Sequence, residues 1–530
     1  MQHIEADTET DRTQKSLREL LGLPDHREPI RFAQSRLAVT LSAEMANTLQ
    51  GQWAAAMAVN LLFRLKEIKA ITVSTPNNVP VLPPVPLAPG ELSASLKALA
   101  ESLSGPQSPY QPEYGHILDQ SGTYDAILSI GDPPKGIHAS RYIVVWADDW
   151  TGYVNCASAL VSRRPACLPF GAYSAACLGV ADIFKHLLVA NYPAAMTHKI
   201  RFLENKCLSL LDFSVDPMAA GSRAVDLPGS LNMGHVAVFG CGAGGTACLY
   251  TLASVPHLDG RLSLVEPNKL KRSNLNRYPM ATYADVYAGR HKVDTAQEFL
   301  ERVAPQFDVT AYPVSYQVFM ARGYGQSLSA DTVIVCTVDN VATRRAIQSD
   351  LRKCTILDCA VTGTIYAVLK VYYGSGRCLG CKHPLRSDEF EQDVASKWGL
   401  PLREVKELRA RGGILEERHI QSLARAQRRP VSHFSQLLGR EFNEAISTTQ
   451  CGEVALGYSL DVPGQVATLP FLTTLPGVIV AAEIVKHRHL PEYALRNWFE
   501  HDLLHEPKQR LHRWKPPIRQ CSVGCSKTAR

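Results

Sequence analysis

A chain of 530 residues, 45% hydrophobic and 20% charged, is expected to fold into two to four domains and is no peptide or disulfide-stapled scaffold. Its formal net charge of +6 is spread along the sequence, so the charge balance offers nothing to nucleic acid. No run approaches the ~18 uninterrupted apolar residues of a membrane span, so a soluble protein is expected.

Residues 1–29 begin MQHIEADTETDRTQK, a polar and acidic extension without the apolar core of an export signal, and the expected compartment is the cytoplasm. In that reducing setting the fourteen cysteines are expected as thiols, metal ligands or catalysts. RLAVTLSA from Arg36 then reads as a strand, residues 47–66 as an amphipathic helix and residues 69–78 as a second strand ending in a turn. The proline-rich stretch 76–109 is a surface insertion with a short helix around 92–103. Residues 168–186, LPFGAYSAACLGVADIFKH, form an apolar helix with proline at its entry. A Gly, Pro and Ser-bearing stretch, 212–233, reads as a linker. The order then repeats as HVAVFGCG, a helix over 244–255, and the strand RLSLVEPN. Much later, residues 469–487 (LPFLTTLPGVIVAAEIVKH) align with 168–186 over nineteen positions without a gap and share seven identities. The predicted fold class is α/β, with two related doubly wound, Rossmann-like domains at 30–211 and from 234 onward, paired as a pseudo-dimer. The second is interrupted after 234–385 by a helical insertion, 386–450, whose charges recur at helical spacing, and is completed by 451–530.

The halves differ where chemistry would sit. The second carries Gly240-Cys241-Gly242-Ala243-Gly244-Gly245 directly after its first strand, and the first has Leu41-Ser42-Ala43-Glu44-Met45-Ala46 there. Glycines let the backbone approach phosphates at a helix N-terminus, whereas Glu44 would repel them, so only the second half is expected to bind a nucleotide. Alone, Gly240, Gly242 and Gly245 suit NAD, FAD and ATP alike. Glu266, at the next strand end, can accept from ribose hydroxyls. Asn274, Arg277 and Lys292 then bring donors for phosphate oxygens, and Asp339 closes a further strand with a ligand for a hard cation such as Mg²⁺. A triphosphate needs this set, because pyrophosphate gathers charge as it leaves, and a nicotinamide enzyme does not.

Residues 235–345 resemble the ThiF/MoeB and ubiquitin-activating enzyme superfamily. Its pattern D-x-D-x-V-x-x-S-N-L-x-R-Q corresponds here to Glu266, Asn268, Leu270, Ser273, Asn274, Leu275 and Arg277, with Tyr278 in place of the final Gln. The resemblance implies that Glu266 holds the ribose, Asn274 and Arg277 the phosphates, Lys292 the α-phosphate region and Asp339 the magnesium. Glu for Asp at 266 keeps the charge, and Asn for Asp at 268 removes one. A related arginine often reaches across from the partner half, for which Arg27, Arg31 and Arg36 are candidates by position.

Cys378 and Cys381 form a C-x-x-C knuckle, and Cys521 and Cys525 make a second close pair near the end of the chain. Two such pairs suit tetrahedral Zn²⁺ and occur in these places in the superfamily, with unliganded thiols or a disulfide as the alternatives. Cys451 follows the polar run Ser447-Thr448-Thr449-Gln450 ahead of the last apolar helix, where thioester-forming members keep their nucleophile. An inert loop thiol is the alternative. Cys156, Cys167, Cys177, Cys207, Cys241, Cys248, Cys336, Cys354 and Cys359 are expected as buried small hydrophobes.

The resemblance therefore implies ATP-dependent activation of a ubiquitin-like protein's C-terminal carboxylate, assisted by Arg277, followed by a thioester on Cys451 and hand-over to a conjugating enzyme. It is nearest to the activating enzymes of Bil-type bacterial operons, some of them antiphage. The alternatives are adenylation of a sulfur carrier or peptide without a cysteine relay, a nicotinamide oxidoreductase, and a non-catalytic scaffold. A monomer built as a pseudo-dimer, or a higher homo-oligomer, is expected.

Overall fold

The computed structural model describes residues 35–103, 112–157, 160–161, 166–198, 200–220, 225–362, 366–372, 377–382, 389–450, 469–495, 497–503 and 512–513, with Leu21, Ile30 and Phe32. The β-branched runs of the first half form β1 (Arg36–Leu41), β2 (Ala70–Ser74), β3 (Glu113–Gly115), β4 (Thr123–Ile130), β5 (His138–Ala147), β6 (Thr151–Val154) and β7 (Lys206–Ser209), in the sheet order β3-β2-β1-β4-β5-β6-β7. The second half forms β8 (Leu231–Phe239), β9 (Leu258–Val265), β10 (Phe307–Tyr312), β11 (Val333–Cys336), β12 (Thr355–Thr362), β13 (Tyr366–Tyr372), β14 (Trp498–Asp502) and β15 (His512–Arg513), in the order β10-β9-β8-β11-β12-β13-β14-β15. Counted within its own half, each sheet runs third, second, first, fourth, fifth. The first five strands are parallel and the later ones antiparallel in both. This is Rossmann-like α/β architecture, and its crevice opens where the order reverses, beyond the carboxyl ends of the first and fourth strands.

The helices that matter here are α1 (Leu49–Leu62), α2 (Leu92–Leu103), α3 (Phe170–Asn191), α4 (Ala243–Ala253), α5 (Lys292–Val303), α6 (Val341–Asp350), α7 (Leu379–Lys382), α8 (Glu389–Trp398), α9 (Leu402–Arg411), α10 (Glu417–Gln427), α11 (Phe442–Gln450) and α12 (Pro470–His489), besides other short helical segments. Both repeat helices are buried nearly end to end. α12 packs against α3 and α4, α3 packs against α1, and a single apolar core runs through both halves. Rings cross the junction, with Phe184 5.6 Å from Phe471 and Tyr173 5.7 Å from Tyr250. α3 is long and apolar enough to cross a membrane, but 89% of its apolar window is buried within the protein, which accounts for its composition.

A buried acid and lysine sit three residues apart at matching places in the repeat helices. Lys185 Nζ lies 2.7 Å from Asp182 Oδ1, and Lys486 Nζ pairs with Glu483. Each pair also anchors the chain that follows: Asp182 accepts from the Leu203 N–H at 3.0 Å and Glu483 from the Leu495 N–H at 2.8 Å. The lysines donate to the carbonyls of Arg201 at 3.0 Å and Leu211 at 3.2 Å. Buried charges held this way have their hydrogen bonds satisfied in place of water.

Two sequence expectations need correction. β8 begins at Leu231, inside the stretch read as a linker. Gly234, at φ +67°, and a register shift between Asn232 and His235 break the alternation that would have shown it. Cys167 is exposed, because it lies in the irregular approach to α3 rather than within an element. The described residues 389–450 belong to a separate compact unit. Its described helices close on a small core of their own, in which Trp398 meets Phe442 at 5.0 Å.

Candidate functional site

β8 and β11 are parallel neighbours with Phe239 opposite Cys336, so the loop from Gly240 and the segment from Thr337 to Asp339 leave the sheet side by side. Gly240 has φ +96°, and a Cβ on it would stand 2.8 Å from the Val338 backbone nitrogen. Only glycine lets the loop lie against the end of β11. A Cβ on Gly245 would fall 2.3 Å from the Gly240 carbonyl oxygen, so α4 too can start this close only from glycine. Gly242 is the N-cap of α4 and has no side chain with which to cap it. The first-turn N–H groups of this eleven-residue helix are therefore without a side-chain cap, an arrangement suited to an anion.

Glu266 follows the last residue of β9 and is buried. Its Oε1 accepts from the Asn268 backbone N–H at 3.0 Å and from Asn268 Nδ2 at 2.6 Å. The Asn268 carbonyl accepts from the Lys292 N–H at 3.0 Å, and Lys292 Nζ lies 3.9 Å from Glu266 Oε1. An amide at 268 can donate to the carboxylate, where an aspartate would repel it, so the two departures from the family pattern fit each other.

Asn274 ends a short 3₁₀ turn, and its Oδ1 closes that turn by accepting from the Lys271 N–H at 3.1 Å. Arg277 Nη1 donates to the Ser273 carbonyl at 2.8 Å and to Asn276 Oδ1 at 2.7 Å. Tyr278, which sequence reasoning passed over as a mere departure, stands between the glycine loop and the cations. Its hydroxyl is 3.7 Å from where a Gly242 Cβ would be, and its ring centre is 5.4 Å from Lys292 Nζ and 5.7 Å from Arg277 Cζ. Burial works against the Lys292 ammonium, but Tyr278, Glu266 and Asp339 outweigh it and hold its pKa above the ordinary lysine value. Asp339 is itself exposed at the mouth of the crevice. Gly240, Gly242, Gly245, Glu266, Tyr278, Lys292 and Asp339 thus line one crevice, with Asn274 and Arg277 on the adjoining turn.

Around the crevice Cys241, Cys248, Cys336 and Cys359 are all buried, and burial pushes the thiols of Cys241, Cys248 and Cys336 well up. Thiols held protonated in this way make poor nucleophiles, which disfavours Cys241, Cys248 and Cys336 in that role. Cys451, Cys521 and Cys525 lie outside the described residues. Cys378 and Cys381 are buried at the start of α7 with their sulfurs 3.8 Å apart. That separation fits two ligands of a tetrahedral ion with Zn–S near ~2.3 Å. Among the described residues no group of three or more metal-binding side chains is assembled. Of the arginine candidates, Arg27 and Arg31 lie outside the described residues. Arg36 is turned to its own half, 3.1 Å from Asp119, because β1 places it beside the loop carrying that acid.

The sequence profile of the ThiF family matches residues 225–523, more than half of the chain and all of this crevice. The chain belongs to the ThiF family. Ahead of the ThiF region, residues 36–202 match the BilD N-terminal domain, in keeping with the Bil-type resemblance. The protein y4jF of Sinorhizobium fredii, named as uncharacterised, is 25% identical over 458 residues, covering 85% of this chain and 81% of the relative. The adenylyltransferase and sulfurtransferase MOCS3 of Drosophila virilis is 32% identical over 167 residues, which are 30% of this chain and 34% of MOCS3. The ThiF-family chain therefore spans about a third of that relative's length. Among solved structures, Escherichia coli MccB with ATP overlaps 55% of this chain and 66% of MccB at 13% identity and a TM-score of 0.33, a match too loose to bear on the chemistry.

Proposed function

We propose that the chain uses ATP to activate the C-terminal carboxylate of a protein or peptide. The observation that carries this reading is the crevice itself, in a ThiF-family chain. A glycine-started helix with an uncapped N-terminus faces Lys292, Tyr278 and Asp339, with Arg277 beside them. A carboxylate oxygen attacks the α-phosphorus, the bond to the β-phosphate breaks, and the products are an acyl-adenylate and pyrophosphate. Glu266 holds the ribose, Asn274, Arg277 and Lys292 take the phosphate oxygens, and the α4 N-terminus cradles the chain of phosphates. Asp339, an exposed carboxylate at the crevice mouth, fits as a ligand for hydrated Mg²⁺, which offsets the charge developing on pyrophosphate. The adenylyltransferase name of the MOCS3 relative supports the same chemistry.

The finer reading is that of an activating enzyme for a ubiquitin-like protein. Residues 30–211 serve as an inactive half and 234–385 as the active one, paired as a pseudo-dimer. The Cys451 thiolate takes the acyl group from AMP as a thioester, for delivery to a conjugating enzyme. Cys378, Cys381, Cys521 and Cys525 hold a structural Zn²⁺. The match of residues 36–202 to the BilD N-terminal domain supports this reading. A second reading, adenylation of a sulfur carrier or peptide without a relay, is favoured by the burial of every described cysteine around the crevice. The test is pyrophosphate exchange into ATP in the presence of small proteins with free C-termini. Arg277→Ala and Asp339→Ala should each lower exchange by about 30-fold to 1,000-fold while leaving Tm unchanged. Exchange within threefold of the unaltered chain in both would overturn the assignment.

A further inference from the structure

We propose that Arg64, in the half of the chain that lacks the glycine loop, is a positioning residue for the nucleotide crevice and holds the phosphate-binding segment 275–281 in shape from beneath. The inference rests on the reading of that crevice as an ATP site. Arg64 follows the C-terminus of α1 and is 4% exposed. Its guanidinium donates to three main-chain carbonyls of one seven-residue stretch: Nη1 to Leu275 at 2.5 Å, and Nη2 to Pro279 at 3.2 Å and to Ala281 at 2.9 Å. Asn60, one helical turn earlier, accepts from Arg64 Nε at 2.7 Å and itself donates to the Pro279 carbonyl at 2.9 Å. The fork is thereby aimed before it meets the segment.

Three points favour positioning over simple packing. First, the carbonyls belong to irregular backbone, which has no ladder of its own to fix it, and a planar five-donor fork converging on them sets their directions. Second, Arg277 and Tyr278 lie between the carbonyls that Arg64 holds, so the curvature it imposes decides how those two side chains meet the glycine loop and Lys292. Third, Arg64 has no carboxylate within ion-pair distance among the described residues. Burial lowers its pKa to about 9, which leaves it a cation at neutral pH. An uncompensated buried charge is a poor source of stability compared with an apolar side chain of similar size. This differs from an arginine that reaches the nucleotide: Arg64 donates to backbone and acts through residues 277 and 278. The first half, although it has no glycine loop, thus shapes the site of the second.

The experiment compares dissociation constants of Mg·ATP and of adenosine, by calorimetry and NMR titration, for the full chain and for Arg64→Lys and Asn60→Ala. A lysine keeps the charge but cannot hold three carbonyls in a plane. If Arg64 positions the phosphate segment, Arg64→Lys should weaken ATP by about tenfold to 100-fold and Asn60→Ala by about threefold to tenfold. Adenosine, which lacks phosphates and relies on the Glu266 side of the site, should bind both variants within twofold of the unaltered chain. ATP bound as tightly by both variants, or ATP and adenosine weakened in equal proportion, would overturn the inference and leave the nucleotide reading standing. An unaltered chain that binds no ATP would overturn both. Because Asn60→Ala leaves the guanidinium in place, it decides the matter if Arg64→Lys fails to fold.

Discussion

A carboxylate, an amide and an ammonium set the charge of the nucleotide crevice. Glu266 is held by Asn268 and stands 3.9 Å from Lys292, whose pKa lies above the ordinary lysine value. For a base whose folded pKa is raised, the favourable charge is fully present below the unfolded value and is lost only as pH rises through the folded one. Lys292 should therefore stay charged from about pH 7 to about pH 10. The pH profile of ATP binding by the unaltered chain and by Lys292→Arg should coincide over that window. A falling limb with a midpoint near pH 8 or 9 that vanishes in Lys292→Arg would contradict the account. At this scale the sequence was legible where spacing is local. Glu266, Asn274, Arg277 and Lys292 sit on one short run, and the fold brings them to one crevice and its adjoining turn. Arg64 was not legible, because it meets Leu275 from 211 positions away, and its only mark in the sequence is a charge within the apolar run LLFRLK.

At the scale of elements, the end of β11 and the start of α4 depend on glycine for their approach. Gly240→Ala would force a methyl against the Val338 nitrogen and place a side chain at φ +96°. The backbone strain alone costs about 1 to 3 kcal/mol, and the collision moves the segment that carries Asp339. Lower Tm together with at least tenfold weaker ATP binding is expected, roughly the loss that ~1.4 kcal/mol represents. Unchanged binding would show that the loop does not need this contact. The C-x-x-C knuckle at the start of α7 yields a second expectation. Metal analysis should find about one zinc per chain, lost in a Cys378→Ser, Cys381→Ser double variant, with proteolysis then entering the segment after residue 503. A zinc-free chain purified without chelator would remove the metal from the account. Strands and long helices were legible from apolar periodicity. The first residues of β8 were not, because a left-handed Gly234 interrupts their alternation.

Over the whole molecule, the repeat of 168–186 in 469–487 already implied two copies of one topology, and the matching sheet orders and paired acid–lysine sites bear this out. What the repeat could not convey is that α3, α4 and α12 share one core across the copies, since packing partners leave no spacing rule in the sequence. Only the second copy keeps the glycine loop, so the account assigns chemistry to one crevice, shaped in part by the other half. The measurement that tests it most directly is label transfer from ATP to a small protein with a free C-terminus. Label at the α-phosphate should appear on that protein as a mixed anhydride with AMP, while label at the γ-phosphate should leave with pyrophosphate. Transfer of the γ-label, or of neither label in a chain that binds Mg·ATP and every carrier offered, would contradict adenylation.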